Sequence, residues 1–225
     1  MVVLGGFLIT AEAYDPLAEW IATRTGAPVT VVPVSRLDWL ATSWGFGWIR
    51  LLDRVDAAVR ELQVRSGSSR VTLIGHSSGG VMLRLYLAQT GLDGASLNGR
   101  QHCNRLISLG SPHQAVRATP LRALVDRRFP GCPHAERVDY VAVAARLDLS
   151  SSVASGFSRR SAARSYRQIS GDPCVDGDGL VPVRSALLRE ARPVVLENTA
   201  HGGLFGSSWY GSEDRIPAWW TALES

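Results

Sequence analysis

The pentapeptide Gly75–His76–Ser77–Ser78–Gly79 fits G-x-S-x-G, a spacing that can present a serine hydroxyl for nucleophilic attack. In a chain rich in glycine and serine those five residues alone are a weak signal, and their surroundings strengthen it. The apolar run "VTLIG" (71–75) reads as a buried strand, and "VMLRLYLAQTG" (81–91) as a helix with Gly91 as its expected stop. Strand, sharp turn and helix are what a nucleophile elbow requires. The turn also chooses between the serines, because a strained nucleophile needs small residues two before and two after it. Ser77 has Gly75 and Gly79 there, whereas Ser78 would have His76 and Gly80. Ser77 is therefore the candidate nucleophile.

A serine hydroxyl is a poor nucleophile at neutral pH; it needs a base, a group that orients the base, and donors for the developing oxyanion. "RPVVLENTAHGG" places His201 just beyond an expected strand, where an open α/β sheet collects its functional groups. The other histidines are less well placed. His76 sits within the elbow, His102 precedes a strand, His113 lies upstream of any acid, and His134 stands beside a proline. The acid should come from "DPCVDGDGLVPV". Asp178, just before Gly-Leu-Val-Pro, is the expected partner and Asp176 the alternative, while turn formation accounts for the rest of the cluster. The spacing does not match a calcium-binding EF-hand loop. "LGGFL" lets the main chain approach a ligand at Gly5–Gly6, so one oxyanion N–H is assigned to Phe7, with Leu8 as the alternative, and the second to Ser78.

Alternating strands and helices should position these groups. Strands are expected at 2–7, where the strand enters a glycine turn, and at 29–34, 71–75, 104–110, 165–171 and 192–197. Helices are expected over 13–26, where Asp15 would be the N-cap and Gly26 the stop, over 48–67, and near 119–128 and 134–146. Residues 148–165 read as a polar surface loop. The expected fold is α/β: a three-layer α/β/α sandwich with a mostly parallel sheet of about six strands. A single domain over 1–225 is expected, with a small helical and loop insertion around 111–164.

All 24 basic residues are arginines, and they are scattered rather than clustered, which argues against a nucleic-acid surface despite the net charge of +4. No apolar run approaches a membrane span, and "MVVLGGFLIT" lacks signal-peptide features, so a cytoplasmic protein without a transmembrane anchor is expected. Cys103, Cys132 and Cys174 are odd in number and lack C-x-x-C, so no zinc site is indicated, and one bridge stays open.

With Ser77, Asp178 and His201 in that order, the sequence resembles the α/β-hydrolase superfamily, specifically its small lipase/esterase-like members. "VVLGGF", "VTLIGHSSGG", "LISLGSPH", "GDGLVPV" and "AHGGLFGSSWYG" carry the resemblance, which spans most of the chain. It implies a minimal α/β-hydrolase fold without the two leading antiparallel strands. It also implies ester hydrolysis through an acyl-enzyme on a Ser77–His201–Asp178 triad, with no metal or organic cofactor. The chain departs from the family in having glycine where histidine commonly precedes the oxyanion residue. An acyltransferase, thioesterase or amidase would use the same three residues, and a weakly catalytic ligand-binding receptor is the remaining alternative. The expected partner is a small-molecule or lipid ester, with transient contact to a lipid surface. Trp44 and Phe46, flanked by glycine, are candidate pocket or lipid-facing residues, with His76 assigned beside them; Trp48 and Trp39 are expected in the core.

Overall fold

A computed structural model describes residues 1–88 and 97–224; the expected helix stop at Gly91 lies outside the described residues. The elements run β1 (Val2–Leu4), α1 (Asp15–Thr25), β2 (Thr30–Val31), α2 (Arg36–Ala41), α3 (Gly45–Ser66), β3 (Val71–His76) and α4 (Ser78–Tyr86). They continue with β4 (Cys103–Leu109), α5 (Pro120–Arg128), β5 (Asp139–Arg146), α6 (Gly156–Ser170), α7 (Val183–Ala186), β6 (Arg192–Glu197) and α8 (Ile216–Glu224). The six strands form one sheet in the order β2-β1-β3-β4-β5-β6, and every pairing is parallel.

Strand alternation builds the layers. Val2, Leu4, Leu73, Leu106 and Ala142 face one side, where α2 to α5 supply Trp39, Leu51, Val55, Leu83 and Val125. Val3, Ile74, Ile107, Val141 and Val143 face the other, against Leu17 and Ile21 of α1 and Ile216 and Trp219 of α8. This is the expected α/β/α sandwich. The chain lays β2 on one side of β1 and β3 on the other, so the direction of sheet growth reverses between β1 and β3. Ligand crevices form at such reversals, outside the strands' carboxyl ends.

Several local expectations are corrected. The second strand, expected over 29–34, pairs only at Thr30–Val31; Pro33 has no N–H to extend the ladder. Asp15 begins α1 and Tyr14 occupies its N-cap, while Gly26 closes it at φ +68° as expected. Residues 134–146, read as helix, contain β5, whose Tyr140–Ala145 run is buried on both sides of the sheet. The stretch 165–171, read as the fifth strand, is instead the end of α6. That helix starts within the supposed loop, where Ser155 Oγ accepts the Ser158 N–H. Its buried residues Ser158, Ala162, Tyr166 and Ile169 recur at helical spacing. The stretch 111–164 thus holds a sheet strand and much of a packed helix.

Candidate active site

The elbow forms where β3 passes into α4. Ser77 adopts φ +53° and ψ −125°, a backbone that only a locked environment holds in a residue with a side chain. Its N–H donates to the Leu109 carbonyl at 2.9 Å, tying the turn to the end of β4. A Cβ on Gly75 would stand 2.6 Å from the Gly80 nitrogen, and one on Gly79 would strike the main-chain oxygens of Leu4 and Gly5. Both glycines beside the candidate nucleophile are thus required by main-chain packing.

Three expected side chains meet here. His201 Nε2 lies 2.9 Å from Ser77 Oγ, and His201 Nδ1 lies 2.9 Å from Asp178 Oδ2. A carboxylate only accepts, so Nδ1 carries the proton, and Nε2 offers its lone pair to the serine O–H. The histidine follows β6, and its N–H also donates to the Asp178 carbonyl at 2.8 Å. Asp178 is fully buried, with Oδ1 accepting from the Leu180 and Val181 amides at 3.0 and 2.7 Å. Asp176, the alternative acid, stays at the surface, where it pairs with Arg146 at 3.2 Å. The acid loop does not follow a strand directly; it is docked beside the end of β5 by the Leu147 N–H, which donates to the Gly177 carbonyl at 2.8 Å.

Sequence reasoning missed Tyr210. Its hydroxyl donates to Asp178 Oδ2 at 3.0 Å, and burial together with the Asp178 charge raises its pKa well above the usual phenol range. Gly110, at φ +56°, makes room for the pair: a Cβ there would lie 2.9 Å from Asp178 Oδ2. No local pattern marks either residue, because each meets Asp178 from a distant part of the chain.

The Ile9 N–H donates to the Gly6 carbonyl at 3.1 Å, closing a tight turn over Phe7 and Leu8 with Leu8 at φ +62°. The turn leans on the elbow, since a Cβ on Gly6 would stand 2.9 Å from Ser77 Cβ. The Phe7 N–H meets no acceptor among the described residues, and Ser78, as the first residue of α4, has no helical carbonyl four residues back.

His76, assigned beside the candidate pocket residues, presents no surface to solvent. It is completely buried, with Nδ1 2.7 Å from Tyr14 Oη and Nε2 2.7 Å from the His201 carbonyl oxygen. Trp44 and Phe46 are 61% and 57% exposed and stack on each other, while Trp39 and Trp48 are core. Phe205 packs edge-on against the His201 ring, with Phe157 against it in turn. A separate cavity of about 1190 Å³, bordered by Asp126, Ile169, Arg184 and Arg189, includes none of Ser77, Asp178 and His201. Among the described residues, no group of three or more His, Cys, Asp or Glu is placed to hold a metal ion, and no helix is long and apolar enough to cross a membrane. All three cysteines are free.

Residues 1–168 match the family described as palmitoyl protein thioesterase. The chain belongs to that family. Ser77 lies within the matched stretch of this palmitoyl protein thioesterase family member, whereas Asp178 and His201 lie beyond it, so their pairing rests on geometry. No curated protein matches the sequence. Among solved structures, mature lipase BlEst2 of Bacillus licheniformis is 16% identical, with TM-score 0.63 over 89% of this chain and 84% of that one. The lin2722 gene product of Listeria innocua is 14% identical, with TM-score 0.54 over 100% and 93%. Phospholipase PlaB of Legionella pneumophila is 13% identical, with TM-score 0.62 over 98% of this chain and 58% of that one. Family and fold together make this family member an α/β-hydrolase of lipase, esterase or thioesterase type.

Proposed function

We propose that the chain is a serine carboxylic-ester hydrolase working through an acyl-enzyme. The observation that carries the reading is the continuous hydrogen-bonded line Ser77–His201–Asp178, each link 2.9 Å long, at the mouth of a strained elbow. His201 takes the Ser77 proton as Oγ bonds to the acyl carbon, and the Phe7 and Ser78 amides receive the negative oxygen. Collapse expels the leaving group, which takes the proton from His201. A water deprotonated by the same imidazole then attacks the acyl-serine and releases the acid, restoring the Ser77 hydroxyl. Asp178 holds His201 in the Nδ1–H tautomer throughout.

The family match favours a second reading in which the leaving group is a thiol. The chemistry differs only in the bond broken, carbon–sulfur in place of carbon–oxygen. Exposed Phe7, Leu8, Trp44 and Phe46 support an apolar acyl substrate and transient contact with a lipid surface in either case.

A panel of p-nitrophenyl esters from acetate to palmitate, run beside an S-palmitoyl peptide, tests both readings. Turnover of esters with little thioester cleavage supports the first, and the reverse supports the second. Ser77→Ala should lower either rate by about 10⁴–10⁶-fold and abolish fluorophosphonate labelling. Labelling that survives the substitution excludes Ser77. Trp44→Ala should depress activity on micellar palmitate more than on soluble acetate; equal, unchanged rates on both remove Trp44 from the substrate path.

A further inference from the structure

A buried chain of hydrogen bonds runs behind the candidate nucleophile. The Gly6 N–H donates to Tyr14 Oη at 2.8 Å, Tyr14 Oη lies 2.7 Å from His76 Nδ1, and His76 Nε2 lies 2.7 Å from the His201 carbonyl oxygen. Tyr14 and His76 are both fully buried. The direction of each bond follows from what each atom can do. The His201 carbonyl can only accept, so His76 Nε2 carries a proton. Burial, followed by the neighbouring His201, pushes the His76 pKa well below its ordinary value, so the ring is neutral and Nδ1 is an acceptor. Tyr14 donates to Nδ1, leaving its oxygen free to accept from Gly6.

The two ends of this chain matter for the reaction. Gly6 immediately precedes Phe7, whose amide is assigned to the oxyanion, and a Cβ on Gly6 would lie 3.2 Å from His76 Nδ1. The His201 main chain carries the ring that must accept the Ser77 proton. The positive φ at Ser77 places its hydroxyl toward His201 while the preceding side chain reaches behind toward Tyr14. The two rings, His76 and His201, have centroids 4.9 Å apart, and Trp209 and Tyr210 pack around His76 at 5.5 and 6.0 Å.

We propose that Tyr14 and His76 are positioning residues: the relay from Gly6 through Tyr14 and His76 to the His201 carbonyl sets the separation of oxyanion donor and base across the Ser77 hydroxyl. The inference rests on the triad reading above. Neither side chain touches substrate. Their effect lies in where two reacting partners stand, and small misplacements of that kind are felt in the chemical step. The His76 donor is directed at the His201 main chain rather than at its ring, so it fixes the base without competing for the proton the ring must carry.

The test is Tyr14→Phe, which removes the central oxygen and leaves the ring. Expected is a kcat lower by about tenfold to a hundredfold with KM within twofold on a soluble butyrate ester. Affinity for a boronic-acid transition-state analogue should fall in proportion to kcat. His76→Gln, whose amide can still donate to the His201 carbonyl, should recover part of the kcat lost in His76→Ala. The double variant Tyr14→Phe/His76→Ala should cost no more than the worse single, because both break one relay. A Tyr14→Phe enzyme with unchanged kcat, or one whose loss resides in KM, overturns the proposal. Should that variant not fold, the wild-type protein labelled with ¹⁵N-histidine supplies the decision: His76 must be the neutral Nε2–H tautomer, and an Nδ1–H tautomer refutes the relay. Fluorophosphonate labelling separates the two levels of failure. Labelling that survives Ser77→Ala sinks the triad itself, whereas labelling lost there but unchanged in rate in Tyr14→Phe sinks only the relay.

Discussion

In the proposed reaction Asp178 has to hold one imidazole in one tautomer, and four donors converge on its two oxygens: the Leu180 and Val181 amides on Oδ1, His201 Nδ1 and the Tyr210 hydroxyl on Oδ2. Asp178→Asn keeps the size but puts an NH₂ group toward donors. The imidazole then relieves the clash by moving its proton to Nε2, where it points at Ser77 and cannot accept. We expect kcat to fall by about 10³–10⁴-fold with the fold intact, measured on a soluble ester beside a circular-dichroism melt. Tyr210→Phe takes away only one of the two Oδ2 donors. It should cost about 1.5–3 kcal/mol in unfolding free energy, as for a bond to a charged group, and far less in kcat than Asp178→Asn. A Tyr210→Phe enzyme as impaired as Asp178→Asn contradicts this division of labour. Residue types and their order are enough to single out Ser77, His201 and Asp178. Tyr14, 62 residues from His76, and Tyr210, 32 from Asp178, have no local signature, since only folding brings each to its partner.

At the scale of elements, the legible parts of the sequence are those in which local preference and tertiary demand agree. β3 and α4 meet through glycines that the turn needs, and α3 shows its apolar stripe through Leu51, Leu52, Val55, Val59 and Leu62. β5 and α6 are misread from sequence because their local signals point the other way. The alanines of β5 favour helix, yet a strand between β4 and β6 must bury both faces, and small residues let helices pack closely on it. In α6 the serines and arginines suggest a loop; the helix holds because Ser158, Ala162, Tyr166 and Ile169 share one buried face. The elbow supplies the sharpest test at this scale. In Gly75→Ala the new methyl meets Gly80 main chain, which cannot move without unseating α4 from β3. Loss of more than about 3 kcal/mol in urea unfolding is expected, together with loss of ester turnover. A Gly75→Ala protein of unchanged stability would show that the elbow is looser than its geometry implies.

For the molecule as a whole, the burial of two histidines has a consequence for acid stability. The 24 arginines stay protonated throughout the accessible range, so the histidines and the Met1 amino group, lowered from 8.0 to about 6 by burial and then Arg65, carry the titration between about pH 5.5 and 8. His76 and His113 are both buried and both held well below the ordinary value of 6.5, His76 by burial and then His201, His113 by burial and then Arg84. His113 sits beneath α4 with Nε2 3.0 Å from Ser108 Oγ and Nδ1 3.4 Å from the Arg84 guanidinium, which leaves a proton on Nδ1 no acceptor. Below pH 6.5 the unfolded chain binds protons at these two positions that the folded chain refuses. The stability these two histidines contribute is therefore full above that pH and is lost as the pH falls toward their depressed folded values. The share from the Met1 amino group is lost between about pH 8 and 6. The slope approaches about 1.4 kcal/mol per pH unit for each histidine, or about 2.7 for the pair. Urea unfolding at about pH 7.5, 6.5 and 5.5 should show the midpoint falling more steeply across the lower interval, where the two histidines act, than across the upper, where the Met1 amino group acts. His113→Gln should roughly halve the histidine share of that dependence, whatever it does to stability at the highest pH. A midpoint that stays level down to about pH 5.5 would mean that the interior accepts the protons, and that the neutral state assigned to His76 and His113 is wrong.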